Sequence, residues 1–144
     1  MKFRAGIDVG STTVKLVIMD EKNQAVFAKY ERHFSDVLTA TKKILAEARE
    51  LIGDAPLAMN ITGSGGMGLA EVLAIPFVQE VIACTRTVEE VIPETDVVIE
   101  LGGEDAKITF FEGALEQRMN GSCAGGTGAF IDQMAVLLKT DANG

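Results

Sequence analysis

Two short segments of this chain group a carboxylate, a glycine turn and a lysine, an arrangement suited to phosphate and its metal counter-ion. In the first, Ile7-Asp8-Val9-Gly10-Ser11 leads to Lys15-Leu16-Val17-Ile18. In the second, Ile99-Glu100-Leu101-Gly102-Gly103 leads to Lys107-Ile108-Thr109-Phe110. The offset is constant, since 100 − 8 and 107 − 15 both give 92. Each copy reads as a strand, an acid, a glycine turn, small or polar residues, a lysine and a return strand. Backbone N–H groups at such turns bind phosphate oxygens. The strand-end carboxylate sits where it can bind Mg²⁺ directly or through water. Two such hairpins facing each other would grip a nucleoside triphosphate from both sides.

A third group is the run Asn120-Gly-Ser-Cys-Ala-Gly-Gly-Thr-Gly128. Its Cys123 lies among small residues just ahead of a helical pattern. Helix-terminal amides favour the thiolate, the form that ligates iron. Gly63-Ser-Gly-Gly-Met-Gly68 has the GxGxxG spacing of a dinucleotide fingerprint and lies between a strand and a helix. That reading also requires an acid at the end of the next strand, about 20 residues on. Glu89 and Glu90 instead fall inside a helical stretch, and a meander precedes the loop, so the loop is expected to line a cleft. Residues 121–127 lack the GK[ST] of a P-loop. Cys84 reads as a small buried hydrophobe, His33 as a solvated strand-end residue, and Glu89-Glu90 as a solvated helix face.

The elements that must position these groups follow from apolar periodicity. Strands are expected at Phe3–Val9, Val14–Met19 and Ala25–His33, forming an antiparallel meander. Ser35 or Asp36 is a candidate N-cap. The helix that follows, Val37–Ile52, carries Leu38, Thr41, Leu45, Ala48 and Ile52 on one stripe and stops at Gly53. Leu57–Thr62 is a strand, Leu69–Leu73 a short helix, Pro76–Val78 a brief extended piece, and Glu80–Ile92 a helix closed by Pro93. Thr95 marks a restart, with strands at Val97–Leu101, Lys107–Phe111 and Ala114–Met119. A last helix, Phe130–Leu138, places Phe130, Met134, Leu137 and Leu138 on one side.

Composition bounds the function. The 144 residues are 47% apolar, enough for a core, and carry 13 basic against 21 acidic groups, a net charge of −8. Such a balance opposes binding to nucleic acid or an anionic membrane through an overall basic surface. Two cysteines without a signal peptide indicate a reducing cytoplasm, and no apolar run approaches the ~20 residues of a membrane span.

Gly6-Ile-Asp-Val-Gly-Ser-Thr-Thr-Val-Lys15 resembles the phosphate-1 motif of the acetate and sugar kinase/Hsp70/actin superfamily, and Glu100-Leu-Gly-Gly-Glu-Asp-Ala-Lys107 its phosphate-2 motif. The Cys123 run narrows the resemblance to the BadF/BadG/BcrA/BcrD-type ATPases, the ATP-driven activators of 2-hydroxyacyl-CoA dehydratases and relatives of benzoyl-CoA reductase subunits. The resemblance covers essentially the whole chain. It implies an α/β, actin-like fold of two ribonuclease-H-like lobes, the first at residues 1–94 and the start of the second, left incomplete, at 95–144. It further implies a homodimer sharing one [4Fe-4S] cluster, charged by reduced ferredoxin or flavodoxin, with ATP hydrolysis driving an electron to a dehydratase or a benzoyl-CoA-reductase-like component.

By this resemblance Asp8 and Asp105 are the catalytic, Mg²⁺- and phosphate-directing acids. Gly10, Ser11, Thr12, Thr13, Lys15, Gly102, Gly103 and Glu104 bind the ATP or ADP phosphates, and Cys123 is a cluster ligand. Position 104 is Glu where smaller activators usually carry Gln. The family's second cluster cysteine and its adenosine-binding glycine motif lie further along than Gly144, so this chain is expected to be a fragment whose activity belongs to a longer parent. A small-molecule kinase, or a non-catalytic nucleotide-sensing domain of the same superfamily, would leave Cys123 without a purpose.

Overall fold

The computed structural model describes residues 2–120 and 127–141. The chain forms two compact units, Met1–Arg86 and Thr87–Gly144. No helix among the described residues is long and apolar enough to cross a membrane.

The first unit is built on a four-stranded sheet of order β3-β2-β1-β4. Strands β1 (Phe3–Val9), β2 (Thr13–Met19) and β3 (Ala25–Arg32) form an antiparallel meander. β4 (Leu57–Thr62) adds to the far side of β1 in parallel, as a strand returning through a helical crossover does. Alternation along β1 turns Phe3, Ala5, Ile7 and Val9 into the core and leaves Arg4, Gly6 and Asp8 on the open face.

The crossover helix α1 (Val37–Ile52) covers the inner face. Asp36 caps it, accepting from the Thr39 amide at 3.0 Å. Hydrogen bonds from the Thr39 backbone and hydroxyl hold the Asp36 carboxyl below the usual carboxylate range. Its buried residues are Ala40, Thr41, Ile44 and Ala48, whereas Leu38 is 55% exposed. The expected stripe is therefore rotated, because the small Ala40 and Ala48 let the helix approach the sheet and Leu45 and Ile52 flank that contact.

α2 (Gly66–Leu73) starts inside the glycine loop rather than at Leu69. A Cβ at Gly66 would lie 2.9 Å from Ile61 Cγ2, so close packing explains that glycine. The extended piece after α2 appears as expected, with a parallel bridge from Phe77 to Ile61. α3 (Glu80–Val91) follows, with Glu89 and Glu90 exposed and Cys84 half-buried.

The second unit holds a three-stranded antiparallel sheet of β5 (Val97–Leu101), β6 (Ala106–Phe110) and β7 (Glu116–Met119), followed by α4 (Gly128–Leu138). Thr109 and Thr127 are fully buried here. On α4, Ala135 is buried while Phe130, Ile131, Val136, Leu137 and Leu138 are exposed.

Candidate functional site

The 92-residue offset is realised in three dimensions. Asp8 pairs with Lys15 across β1–β2, and Glu100 pairs with Lys107 across β5–β6. Each tip is closed by the same bond: the Gly10 amide donates to Thr13 O at 2.9 Å, and the Gly102 amide donates to Asp105 O at 2.8 Å. Between these closures lie Ser11 and Thr12 in one tip, Gly103 and Glu104 in the other. Among the described residues no acceptor is paired with any of these four amides. Consecutive unpaired amides at a turn present a concentration of positive partial charge to an anion.

Around the first tip, register sets a row of side chains on the open face. Tyr30, Lys15, Asp8 and Thr62 lie side by side across β3, β2, β1 and β4. Lys15 Nζ bonds Asp8 Oδ2 at 2.7 Å and stands 5.8 Å from the Tyr30 ring centre. The Thr62 hydroxyl is buried and has no hydrogen-bond partner among the described residues. Ser11 is exposed, Gly10 and Thr12 are half-exposed, and Thr13, whose carbonyl closes the turn, is buried.

Behind Asp8 stands the glycine loop. The Gly65 amide donates to Val9 O at 2.9 Å. Gly63 has φ +96°, and a Cβ there would run into Val9 O and come within 2.5 Å of Asp8 Oδ1. Close packing against the Asp8 end of β1 and against β4 thus accounts for Gly63, Gly65 and Gly66, whereas Gly68, the last glycine of the GxGxxG spacing, has open space around it. Gly10, in contrast, has room for a Cβ, with Thr13 O 3.6 Å away.

His33 departs from its expected place. It is 7% exposed rather than solvated. Its Nδ1 accepts from the Ser35 amide at 3.1 Å, and its Nε2 lies 3.1 Å from Gly10 O. Its own amide donates to Thr12 O at 3.2 Å. A strand-end histidine followed by Phe34 and Ser35 carries no sign of this, because its acceptors lie in a turn about twenty residues away.

In the second tip the missing Cβ of Gly102 makes space for the Asp105 carboxylate. Asp105 Oδ2 lies 3.1 Å from Lys107 Nζ. Asp105 occupies the turn position equivalent to Thr13, and Glu100 is the equivalent of Asp8. The start of α4 is tied to this tip: the Gly128 amide donates to Gly102 O at 2.8 Å and the Ala129 amide to Gly103 O at 2.9 Å. Two of the helix's initial amides, which have no partner within a helix, are therefore already occupied. Asn120 is tied to the same hairpin, its amide donating to Ala106 O and its Oδ1 accepting from the Ala106 amide, both at 3.0 Å. Cys123 lies outside the described residues.

Among the described residues no three His, Cys, Asp or Glu side chains converge as a metal cage. Asp8 and Asp105, beside the two tips, are carboxylates, the ligand type of Mg²⁺, which takes one or two of them together with water and substrate phosphates.

A model of the BadF/BadG/BcrA/BcrD ATPase family matches residues 5–143. The 2-hydroxyisocaproyl-CoA dehydratase activator of Clostridioides difficile is 31% identical over 150 residues, covering 98% of this chain and 54% of that protein. The solved structure of the activator of the 2-hydroxyisocaproyl-CoA dehydratase from Clostridium difficile with bound ADPNP matches with a TM-score of 0.84 at 30% identity, over 97% of this chain and 53% of that one. Component A of the Acidaminococcus fermentans (R)-2-hydroxyglutaryl-CoA dehydratase matches with a TM-score of 0.83 at 26% identity, over 99% and 56% of the two chains. The chain spans about half the length of these relatives and shares their actin-like ATPase fold.

Proposed function

Because the chain belongs to the BadF/BadG/BcrA/BcrD ATPase family, we propose that it supplies the phosphate-binding turns of an ATP-hydrolysing activator of a 2-hydroxyacyl-CoA dehydratase or a related reductase. The observation that carries this reading is the pair of equivalent glycine tips, each closed by the same bond and each offering two amides that meet no acceptor among the described residues. Ser11, Thr12, Gly103 and Glu104 donate those amides to phosphate oxygens. Lys15 adds a cation beside the first tip, and Asp8 and Asp105 are the carboxylates that would hold Mg²⁺ directly or through water. Water then attacks the γ-phosphorus, the β–γ bridging P–O bond breaks, and ADP, phosphate and a proton leave. Amides fixed before substrate arrives stabilise the developing charge without reorganising, which is how preorganised donors accelerate such a step.

When bound, a [4Fe-4S] cluster reduced by ferredoxin or flavodoxin would supply the low-potential electron. Four thiolates hold such a cluster. The reading assigns it to a homodimer in which each chain gives Cys123 and one further cysteine of the full-length protein. The test is iron analysis of the full-length protein purified without oxygen, with Cys123→Ser alongside. Four irons per two chains are expected in the unaltered protein. The variant should lose its iron and its activating function yet keep nucleotide binding, because Cys123 is not among the residues assigned to phosphate. Retained iron and retained activation in Cys123→Ser would reduce the activator assignment to a likeness of fold.

A further inference from the structure

His33 is the one histidine of the chain, it is buried, and both of its ring nitrogens are engaged. A backbone amide can only donate, so Nδ1, facing the Ser35 N–H, is the acceptor. Nε2 therefore carries the hydrogen and donates to the Gly10 carbonyl, which can only accept. The corner that follows is built for this. Phe34 and Ser35 take positive φ, 46° and 69°, although neither is glycine. That curl brings the Ser35 amide back onto Nδ1 and the Asp36 amide onto His33 O at 2.7 Å. Two successive left-handed non-glycine residues are costly and persist only where the surroundings enforce them.

The Gly10 carbonyl belongs to the same peptide unit as the Ser11 N–H. Among the described residues no peptide bond is cis, and in a planar trans unit the carbonyl and the N–H point in opposite directions. Drawing Gly10 O toward His33 thus turns the Ser11 N–H away from His33, out of the turn. The second tip contains the same device by other means. Gly102 O, the equivalent of Gly10 O, is held by the Gly128 amide at 2.8 Å, which turns the Gly103 N–H outward in the same way. One copy uses a helix-start amide as the tie and the other uses an imidazole.

We propose that His33 is a positioning residue of the nucleotide site, fixing the direction in which the Ser11 amide meets phosphate. The proposal rests on the ATPase reading for its consequence, and on the Nε2–Gly10 bond for its geometry. Two variants of the full-length protein test it. His33→Phe keeps the ring and removes both nitrogens; His33→Gln restores a donor at about the reach of Nε2. In nucleotide-free protein, amide exchange at Gly10, whose N–H closes the turn, should speed up in His33→Phe and return toward the unaltered rate in His33→Gln. The KM for MgATP should rise about tenfold in His33→Phe, the effect of losing one buried hydrogen bond, and fall back in His33→Gln. A purely structural histidine would lower melting temperature in both variants without this split. Unchanged exchange and KM in His33→Phe, or a His33→Gln no better than His33→Phe, would overturn the proposal. Nitrogen-15 shifts of the unaltered ring give a test independent of variant folding: a proton on Nδ1 rather than Nε2 also overturns it. Should the unaltered protein hydrolyse no ATP, the ATPase reading fails while the exchange comparison still decides the role of His33.

Discussion

Replacing Gly63 by alanine puts a methyl group where Val9 O and Asp8 Oδ1 already are. Two costs combine. Alanine at φ +96° is in a left-handed conformation that disfavours side chains by about 1–2 kcal/mol. Forcing a group into packed surroundings adds about 1–3 kcal/mol, and here the obstruction is backbone, which cannot rotate aside. The expected loss is therefore about 2–5 kcal/mol, a large part of a typical domain's about 5–15 kcal/mol. Gly68→Ala is the internal control. It lies within α2, where a Cβ would meet nothing within 4 Å, and alanine there should gain about 0.5–1 kcal/mol of helix propensity. Urea unfolding followed by circular dichroism reads both as shifts in midpoint at constant slope. Equal midpoints for Gly63→Ala and Gly68→Ala would refute the idea that the glycine loop is packed against the Asp8 end of β1.

Two further outcomes are expected. Asp8→Asn in the full-length protein should slow ATP hydrolysis by about 100-fold or more, the several kcal/mol that metal-assisted charge stabilisation supplies. Its stability should change by less than about 1 kcal/mol, since the Asp8–Lys15 pair is partly exposed; an unimpaired steady-state rate would remove Asp8 from the chemistry. Asp36 has a lowered pKa in the folded state through its bonds from Thr39. A depressed carboxylate stabilises above its unfolded pKa and loses that contribution as pH falls through the folded value. Thermal melts should therefore show Asp36→Ala less stable than the unaltered chain at neutral pH, with the gap closing below about pH 4; a gap independent of pH would contradict the capping role.

How far these features can be read from sequence depends on the range over which their causes act. The two hairpins were legible because both strands, the turn and the lysine lie close together along the chain, at Phe3–Met19 and Val97–Phe110; clean period-two burial belongs to the first copy alone, since Ile99 and Leu101, the equivalents of Ile7 and Val9, are exposed. Asp36 was legible for the same reason, its partner Thr39 being one helical turn away. The exposed Leu38 and the start of α2 at Gly66 were not. The first depends on which helix stripe meets the sheet, and helical spacing alone does not distinguish Leu38 from Ala40. The second runs against propensity, since glycine is a poor helix former and is tolerated only because Ile61 and Phe77 crowd it. His33 was invisible because its function lies in a carbonyl that carries no side-chain signature at all.

The two tips have a consequence for how such a chain can vary. Ser11, Thr12 and Thr13 stand where Gly103, Glu104 and Asp105 stand in the other copy, so three successive positions differ while the closing bond and the flanking pairing are unchanged. An inserted residue is a different matter. Kept within the ladder, it would shift β2 by one place and flip every side chain on it. Lys15 would turn inward and Val14, Leu16 and Ile18, now almost wholly buried, would turn out. Each such side chain is worth about 1.5–3 kcal/mol in the core, so one extra residue threatens the whole fold, whereas an exchanged side chain at the exposed Ser11 displaces no core residue. Drift at these turns should consequently be recorded in related chains as exchanged letters at fixed length rather than as gaps.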